Sequence, residues 1–354
     1  MPEIASRYKV AYHFSKIRNY LSGIDIFPVS LELDLTAACN RNCPLCPSTK
    51  SKSSYALDIR FVEKLLSILD GQTRGLLLTG GEPTMAPTFS RTLQLARQHG
   101  FLDIAVVTNG TLLGRQDVAS ALLAYASTIR ISLYDWTAES NEEITPVFRL
   151  MEALRRQADR TGSQLQIGVS VLTSQDNEAG LSGIARRVGS AGAHWIYFNT
   201  LCIRWDIGAP TRVGQQGVLR AVENLKRSQK SGLQVFTFPE RYVDDVIEFR
   251  GYHAAHFLLV IGADGLNYLG AEVKYHSQHA IADVARHCHP WFLWTDERLQ
   301  RIRSVQSGAY PPLGSRHRGV LYSDLIEKLM RQGNGDTVPG LSLPGDGFAF
   351  PHIL

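Results

Sequence analysis

No stretch of this 354-residue chain stays apolar long enough to cross a membrane. Its longest runs, such as residues 256–261 with their neighbours, break far short of the roughly 20 residues a spanning helix needs. No charged-then-apolar segment at the N-terminus reads as a secretory signal, so no membrane partner is expected and the cytoplasm is the expected compartment. A surplus of one charge is also missing: 37 Lys and Arg against 33 Asp and Glu leave a formal +4. The basic residues are scattered rather than blocked, which gives no reason to expect nucleic acid and suits an anionic ligand equally well. Cysteine is scarce, with five in all. Three of these fall within eight residues, which is not a secreted disulfide framework and suggests a reducing compartment. The remainder, 44% hydrophobic and 20% charged, is the composition of an ordinary globular chain with ample material for one large core and an appendage.

From Val29 to Val171 short β-rich runs alternate with amphipathic helical stretches, the pattern of repeated βα units around a parallel sheet. Strands are expected at 29–35, 75–79, 104–108, 129–134, 165–172 and 195–200. Helices are expected between them at 58–69, 88–99, 117–126, 143–161 and 178–190, the first of these capped by Asp58. Six such units fall short of a closed eight-stranded barrel, so the fold class is α/β, a partial (β/α)6 TIM-like barrel with a small α+β C-terminal appendage. The expected division is an N-terminal helical extension over 1–28, the barrel core over 29–205, the appendage over 206–310, and a C-terminal helix with a Gly/Pro-rich tail over 311–354. A polar helix at 215–231, a strand at 233–238 and a hairpin turning at Asp264-Gly265 are read into the appendage. The tail from Gly333 is expected to lie over the surface or to be mobile.

Cys39, Cys43 and Cys46 are spaced C-x3-C-x2-C directly after the first strand. Three thiolates can hold a four-iron cluster while leaving one iron free for a ligand. The alternative is a zinc knuckle, but structural zinc takes four Cys or His ligands, and no second C-x2-C pair or nearby His completes this one. Gly80-Gly81-Glu82-Pro83 follows the second strand, Thr108-Asn109-Gly110 the third, and Tyr134-Asp135 the fourth. In barrels of this kind the carboxyl ends of the strands carry the reactive groups, so these motifs converge on one rim.

With CNRNCPLC, GGEPT and TNG each at the end of its own strand, the chain resembles the radical S-adenosylmethionine superfamily over roughly residues 29–200. The resemblance implies one [4Fe–4S] cluster held by Cys39, Cys43 and Cys46, with the open iron chelating the amino and carboxylate groups of S-adenosylmethionine. It also implies one-electron cleavage to a 5′-deoxyadenosyl radical, with a donor such as flavodoxin or ferredoxin. Gly80, Gly81, Glu82 and Pro83 are implied for the methionine amine, with Glu82 and the strand edge offering acceptors and the glycines allowing close backbone approach. Ser132 and Ser170 are implied for the ribose or carboxylate, Asn109 near the ligand, and Tyr197 to Asn199 near the adenine. Leu45 stands where an aromatic residue is frequent in this family, so it leaves backbone contact to adenine but no ring stacking.

The appendage resembles a degenerate SPASM or twitch type of auxiliary domain over roughly 257–302. Leu269, Gly270 and Ala271 stand where cluster cysteines would fall, and only Cys202 and Cys288 lie outside the first motif, so a single cluster is expected. Without an auxiliary electron acceptor, dehydrogenation loses ground to epimerisation, elimination or decarboxylation. Epimerisation needs a hydrogen donor, for which Cys288 and then Cys202 are the candidates, against the plain alternative of buried apolar cysteines. Substrate contacts are expected from Glu32 and Asp34, which share one face of the first strand, and from Tyr134, Asp135 and Arg204 at the rim. Six histidines between residues 253 and 289 are spaced too irregularly for a metal site and read as scattered core or surface residues.

The expected function is therefore hydrogen abstraction from a polar small molecule, a sugar, aminoglycoside or nucleoside of natural-product biosynthesis, with a redox-neutral outcome. A peptide-modifying maturase or epimerase is the rival within the same superfamily, and a non-catalytic iron–sulfur or zinc scaffold the rival outside it.

Overall fold

In a computed structural model the chain is described at residues 4, 6–43, 46, 54–133, 141–200, 215–228, 232–242, 247–309, 318–332 and 347–354. Within these residues the strands are β1 Ser30–Asp34, β2 Gly75–Thr79, β3 Asp103–Thr108, β4 Thr128–Leu133, β5 Gln166–Thr173, β6 Trp195–Thr200, β7 Gln234–Thr237, β8 Leu258–Ile261, β9 Leu266–Tyr268 and β10 Ala280–Asp283. The helices are α1 Phe14–Leu21, α2 Ile59–Ile68, α3 Phe89–Gln98, α4 Gln116–Tyr125, α5 Asn141–Thr161, α6 Leu181–Ser190, α7 Gln215–Ser228, α8 Asp296–Ser304 and α9 Arg318–Gln332. All strands lie in one sheet of order β10-β9-β8-β1-β2-β3-β4-β5-β6-β7. Pairing is parallel from β8 through β1 to β7 and antiparallel only in β8–β9 and β9–β10.

Strand alternation sorts the side chains. Leu31 and Leu33, Leu76 and Leu78, Ile104 and Val106, Ile129 and Ile131, Ile167 and Val169, and Ile196 and Phe198 join the helix-side core, where they meet Leu65, Leu93, Leu122, Met151 and Ile184. Because successive residues of a strand point to opposite faces, Glu32, Asp34, Thr79, Arg130, Ser132, Gly168, Ser170, Trp195 and Tyr197 fall on the other, inner face. This is the expected α/β partial barrel with a smaller C-terminal part. Asp58 caps α2 as its sequence predicts, its Oδ1 accepting from Arg60 N at 2.8 Å.

Two pairings were not visible in the pattern. β7, read into the appendage, lies beside β6, with Tyr197 opposite Phe236. β8 runs parallel to β1, with Glu32 opposite Val260, so the C-terminal hairpin continues the main sheet. Alternation predicts a strand but not its neighbour, and an uncovered β1 would have left a row of unpaired backbone groups at the sheet edge. The hairpin itself turns at Asp264-Gly265, with Gly265 at φ +77°.

The chain ends help close the bottom of the barrel. His352 N donates to Asp103 Oδ2 at 2.9 Å, and the His352 carbonyl occupies the space a Cβ on Gly75 would need. Leu354 is buried in a second core with Ile17, Phe257 and Ile326. The end of the tail is thus packed, while residues 333–346 lie outside the described residues. From α9, Leu321 packs on the inner-face aromatics Trp195, Tyr197, Phe236 and Phe238.

Candidate active site

Cys39, Cys43 and Cys46 are half-buried and unbridged on the loop that leaves β1. Cys39 Sγ accepts from Arg41 N at 3.4 Å and faces Asn109 Nδ2 at 3.8 Å. Cys46 N donates to Cys43 O at 3.2 Å. Among the described residues no three His, Cys, Asp or Glu side chains are gathered as ligands of one metal ion. Leu45 and residues 47–53 lie outside the described residues.

The Gly-Gly pair serves this loop. A Cβ on Gly80 would strike the Thr36 carbonyl, and one on Gly81 the carbonyls of Ala37 and Ala38. Gly80 also sits at φ +123°, open to glycine and costly for other residues. Gly81 N donates to Thr36 O at 2.9 Å and Glu82 N to Ala38 O at 2.8 Å. The space attributed by sequence to an approaching ligand is taken by the backbone that leads into Cys39.

Glu82 is likewise tied into the chain. It is 1% exposed, and both its oxygens are filled from within the chain. Oε1 accepts from Thr84 N at 3.2 Å, Thr84 Oγ1 at 2.5 Å and Thr108 Oγ1 at 2.7 Å, and Oε2 from Asn109 N at 2.7 Å. Acting as the cap of the short turn that begins at Pro83, it ties the loop after β2 to the loop after β3, with both oxygens engaged within the chain. Asn109, thereby fixed, donates to Asn40 Oδ1 at 2.8 Å and accepts from Thr111 N and Oγ1, so it reaches the cysteine loop.

Glu32 and Asp34 are buried on the inner face at 4% and 0% exposure, but they do not stand free for a substrate. Lys274 Nζ lies 3.0 Å from Glu32 Oε1 and 2.7 Å from Asp34 Oδ1. Arg318 donates to Glu32 Oε2 at 2.6 Å, Thr79 Oγ1 to Asp34 Oδ1 at 2.5 Å, and Tyr275 OH to Asp34 Oδ2 at 2.7 Å. Burial alone would raise the Glu32 carboxyl, but Lys274 and Arg318 outweigh it and hold it below the usual range. Burial opposes the Lys274 charge, while Asp34 and Glu32 more than compensate and raise it above an ordinary ammonium. Burial and the Asp34 charge raise the Tyr275 phenol. Tyr275 takes φ +66°, an uncommon and strained backbone for a bulky residue, held in place by its bond to Asp34. Lys274, Tyr275 and Arg318 were missed by the sequence reading. No local pattern marks them, because they meet β1 across 242, 241 and 286 residues of chain.

On β4 to β6 the inner face is less complete. Ser132 is half-buried, whereas Ser170 is 1% exposed and its Oγ has no hydrogen-bond partner. Tyr197 is buried among aromatics, and Asn199 Oδ1 accepts from Arg241 at 2.8 Å. Arg130, also missed, was legible as the one charged residue alternating with Ile129 and Ile131.

Cys288 lies elsewhere. It is 6% exposed in the helix-side core, where burial raises its thiol against the opposing charge of Lys64 on α2. That is the place of a buried apolar cysteine, on the other side of β1 from Glu32 and Asp34, and the hydrogen-donor role is withdrawn. Cys202, Tyr134, Asp135 and Arg204 lie outside the described residues. His253 and His256 both meet Tyr20, His253 Nδ1 at 2.7 Å from its OH and the His256 ring with its centroid 4.6 Å from the phenol ring, and among the described residues no three histidines gather as metal ligands. A groove of about 800 Å³ between α5 and α6, lined by Arg149, Arg186 and Arg187, lies on the helix side, away from the cysteines.

A sheet of this topology with three cysteines after β1 and a Gly-Gly-Glu-Pro turn after β2 defines a class. Residues 33–161 match the family model of the Radical SAM superfamily, and the chain carries a radical SAM domain there. The chain is 31% identical over 144 residues to a probable GTP 3′,8-cyclase of Saccharolobus islandicus, covering 39% of this chain and 44% of that protein. It is 26% identical over 180 residues to the mycofactocin maturase MftC of Mycobacterium ulcerans, covering 50% and 48%. The chain thus spans less than half the length of these curated relatives. Its fold is similar to that of Streptococcus suis SuiB bound to S-adenosylmethionine, with a TM-score of 0.65 at 14% identity over 84% of this chain and 73% of that one.

The cofactors of a radical SAM domain are a [4Fe–4S] cluster and S-adenosylmethionine. The residues fit them: three soft sulfur donors share one loop with an N–H aimed at Cys39 Sγ, and the buried Ser170 hydroxyl waits on the inner face. Among the described residues no helix is long and apolar enough to cross a membrane.

Proposed function

We propose that the chain reductively cleaves S-adenosylmethionine and abstracts a hydrogen atom from a polar small molecule held against the inner face of the barrel, with a redox-neutral outcome. Cys39, Cys43 and Cys46 would hold the cluster. Bound there, the cluster and the sulfonium cofactor supply a hydrogen-abstracting radical once a one-electron donor such as flavodoxin or ferredoxin has reduced them. The residues of the chain do the positioning. Gly80, Gly81 and Glu82 fix the root of the cysteine loop, and Asn109 directs its amide at Cys39. Ser132, Ser170, Tyr197 and Asn199 face the space where cofactor and substrate would meet.

The observation that carries this reading is an inner face bearing buried hydrogen-bonding groups that the described chain leaves unmet, the Arg130 Nε and the Ser170 hydroxyl among them, as a small polar ligand requires. The partial similarity to a probable GTP 3′,8-cyclase agrees with it. We infer further that β8–β10 with α8 form a SPASM- or twitch-like unit without a cluster of its own. A peptide substrate is the second reading, favoured by the partial similarity to a mycofactocin maturase.

Anaerobic protein reconstituted with iron and sulfide, then given dithionite and S-adenosylmethionine, should release 5′-deoxyadenosine, and Cys39→Ala, Cys43→Ala or Cys46→Ala should reduce this to background. A wild-type protein that binds iron yet makes none would defeat the proposal and leave a scaffold. Deuterium carried into deoxyadenosine from a labelled nucleoside or sugar, but not from a labelled peptide, would separate the two substrate readings.

A further inference from the structure

We propose that Arg130 and Trp195 form an anion subsite on the inner face, one that takes a carboxylate or phosphate group of the substrate. This rests on the proposed function for its occupant but not for its geometry.

Three cations, Lys274, Arg318 and Arg130, act on the two buried carboxylates of β1. Lys274 and Arg318 are bonded to them directly, and with Thr79 and Tyr275 they occupy all four oxygens. Arg130 acts on Glu32 through its charge and makes no hydrogen bond to either carboxylate among the described residues. Its Nε is buried without a hydrogen-bond partner, and no ion pair engages it among the described residues.

The adjoining strands bring a second unsatisfied donor to it. Arg130 on β4 is in register with Gly168 on β5, and Gly168 with Trp195 on β6. A Cβ on Gly168 would collide with Cε2, Cδ2 and Cζ2 of Trp195, so the indole lies across β5 toward β4. Its closest atom, Cε2, is the ring carbon bonded to Nε1, so the indole ring covers Gly168, the residue in register with Arg130. Trp195 is 3% exposed and its indole N–H has no partner. Both groups are donors only, and the burial of the Arg130 Nε and the Trp195 Nε1 leaves these two atoms a demand for an acceptor that the described chain does not meet. A leftover positive charge beside two orphaned N–H groups selects an anionic acceptor over a neutral one, and a planar or tetrahedral oxyanion can take both.

The test titrates full-length wild type, R130Q, R130K and W195F with inorganic phosphate and with malonate at constant ionic strength, following tryptophan fluorescence and the thermal midpoint. Wild type should bind one of the two saturably. R130Q should weaken it about tenfold or more, W195F about threefold and R130K less than R130Q, in line with a charge-assisted bond plus a neutral one. Tighter phosphate assigns a phosphoryl group, tighter malonate a carboxylate, and both support the subsite. If R130Q does not fold, R130K and W195F still decide. Wild type without saturable binding, or variants that bind like wild type, would overturn the proposal. A parallel loss of S-adenosylmethionine affinity in R130Q would give the donors to the cofactor and equally overturn it. Failure of deoxyadenosine release in wild type, by contrast, sinks the proposed function without touching anion binding.

Discussion

The β1–β3 side of the inner face and the β4–β6 side are built on opposite terms. On the first, Glu32, Asp34 and Glu82 are buried and every carboxylate oxygen is met by the chain itself. On the second, Arg130, Ser170 and Trp195 carry buried donors that nothing in the described chain meets. A completed network fixes backbone, and the one here fixes the loop that carries the cysteines. An incomplete network costs stability in the free protein and is recovered when a ligand supplies the missing atoms. On the proposed reading, the carboxylates of the first sector serve as scaffold and the unmet donors of the second serve recognition.

That contrast is open to attack by mutation. Glu82→Ala strands the N–H groups of Thr84 and Asn109 and the Thr108 hydroxyl, and should lower unfolding stability by about 4 kcal/mol in urea titrations. Loss of less than about 1 kcal/mol would mean the network does not hold the loops.

Lys274→Met removes the ammonium between two buried carboxylates and should cost about 3 kcal/mol near neutral pH. The sign follows from both partners. Lys274, with its raised value, gives full stability below the ordinary lysine range. Glu32, with its lowered value, gives stability above the ordinary carboxylate range and loses it as pH falls through its depressed value. Stability curves of wild type and variant should therefore converge below about pH 4.

His256 tests the packing outside both sectors. Burial first, then the Arg298 charge, lowers it to about 3. The unfolded chain takes up its proton near pH 6.5 and the folded chain does not, so wild-type stability drains away as pH falls below that value. His256→Phe should recover about 2 kcal/mol of the loss between pH 7 and 5, read from denaturant midpoints at each pH.

The smallest effect should come from the second sector. Ser170→Ala deletes an unpartnered hydroxyl and should change stability by no more than about 0.5 kcal/mol, while a hydroxyl bonded in the free protein would cost more. A loss of about 1.5 kcal/mol or more would erase the distinction between the sectors.

Much of this was readable in the chain because the signals are local. Period-two alternation in LELD, IRIS and IGVS marked β1, β4 and β5, and Asp58 marked the start of α2. The cysteines, Gly80-Gly81 and Asn109 stood out because each follows its strand directly. Their partners were misjudged where a short motif has two physical uses: glycine clears space for a ligand or for a neighbouring backbone, and a glutamate can accept from a ligand or cap a turn. Arg130 was visible as a charge among isoleucines, yet its lack of an ion pair depended on residues far along the chain.

The sequence by itself determined the alternating units, the sulfur donors and the rim to which the motifs belong, since each depends on residues within a few positions of one another. Only the tertiary structure decided that Lys274, Tyr275 and Arg318 neutralise Glu32 and Asp34, that β8 covers β1, and that Trp195 leans across Gly168 toward Arg130. Those outcomes rest on which strands become neighbours and which buried charges must be balanced, and a chain settles both only when distant segments compete for the same interior.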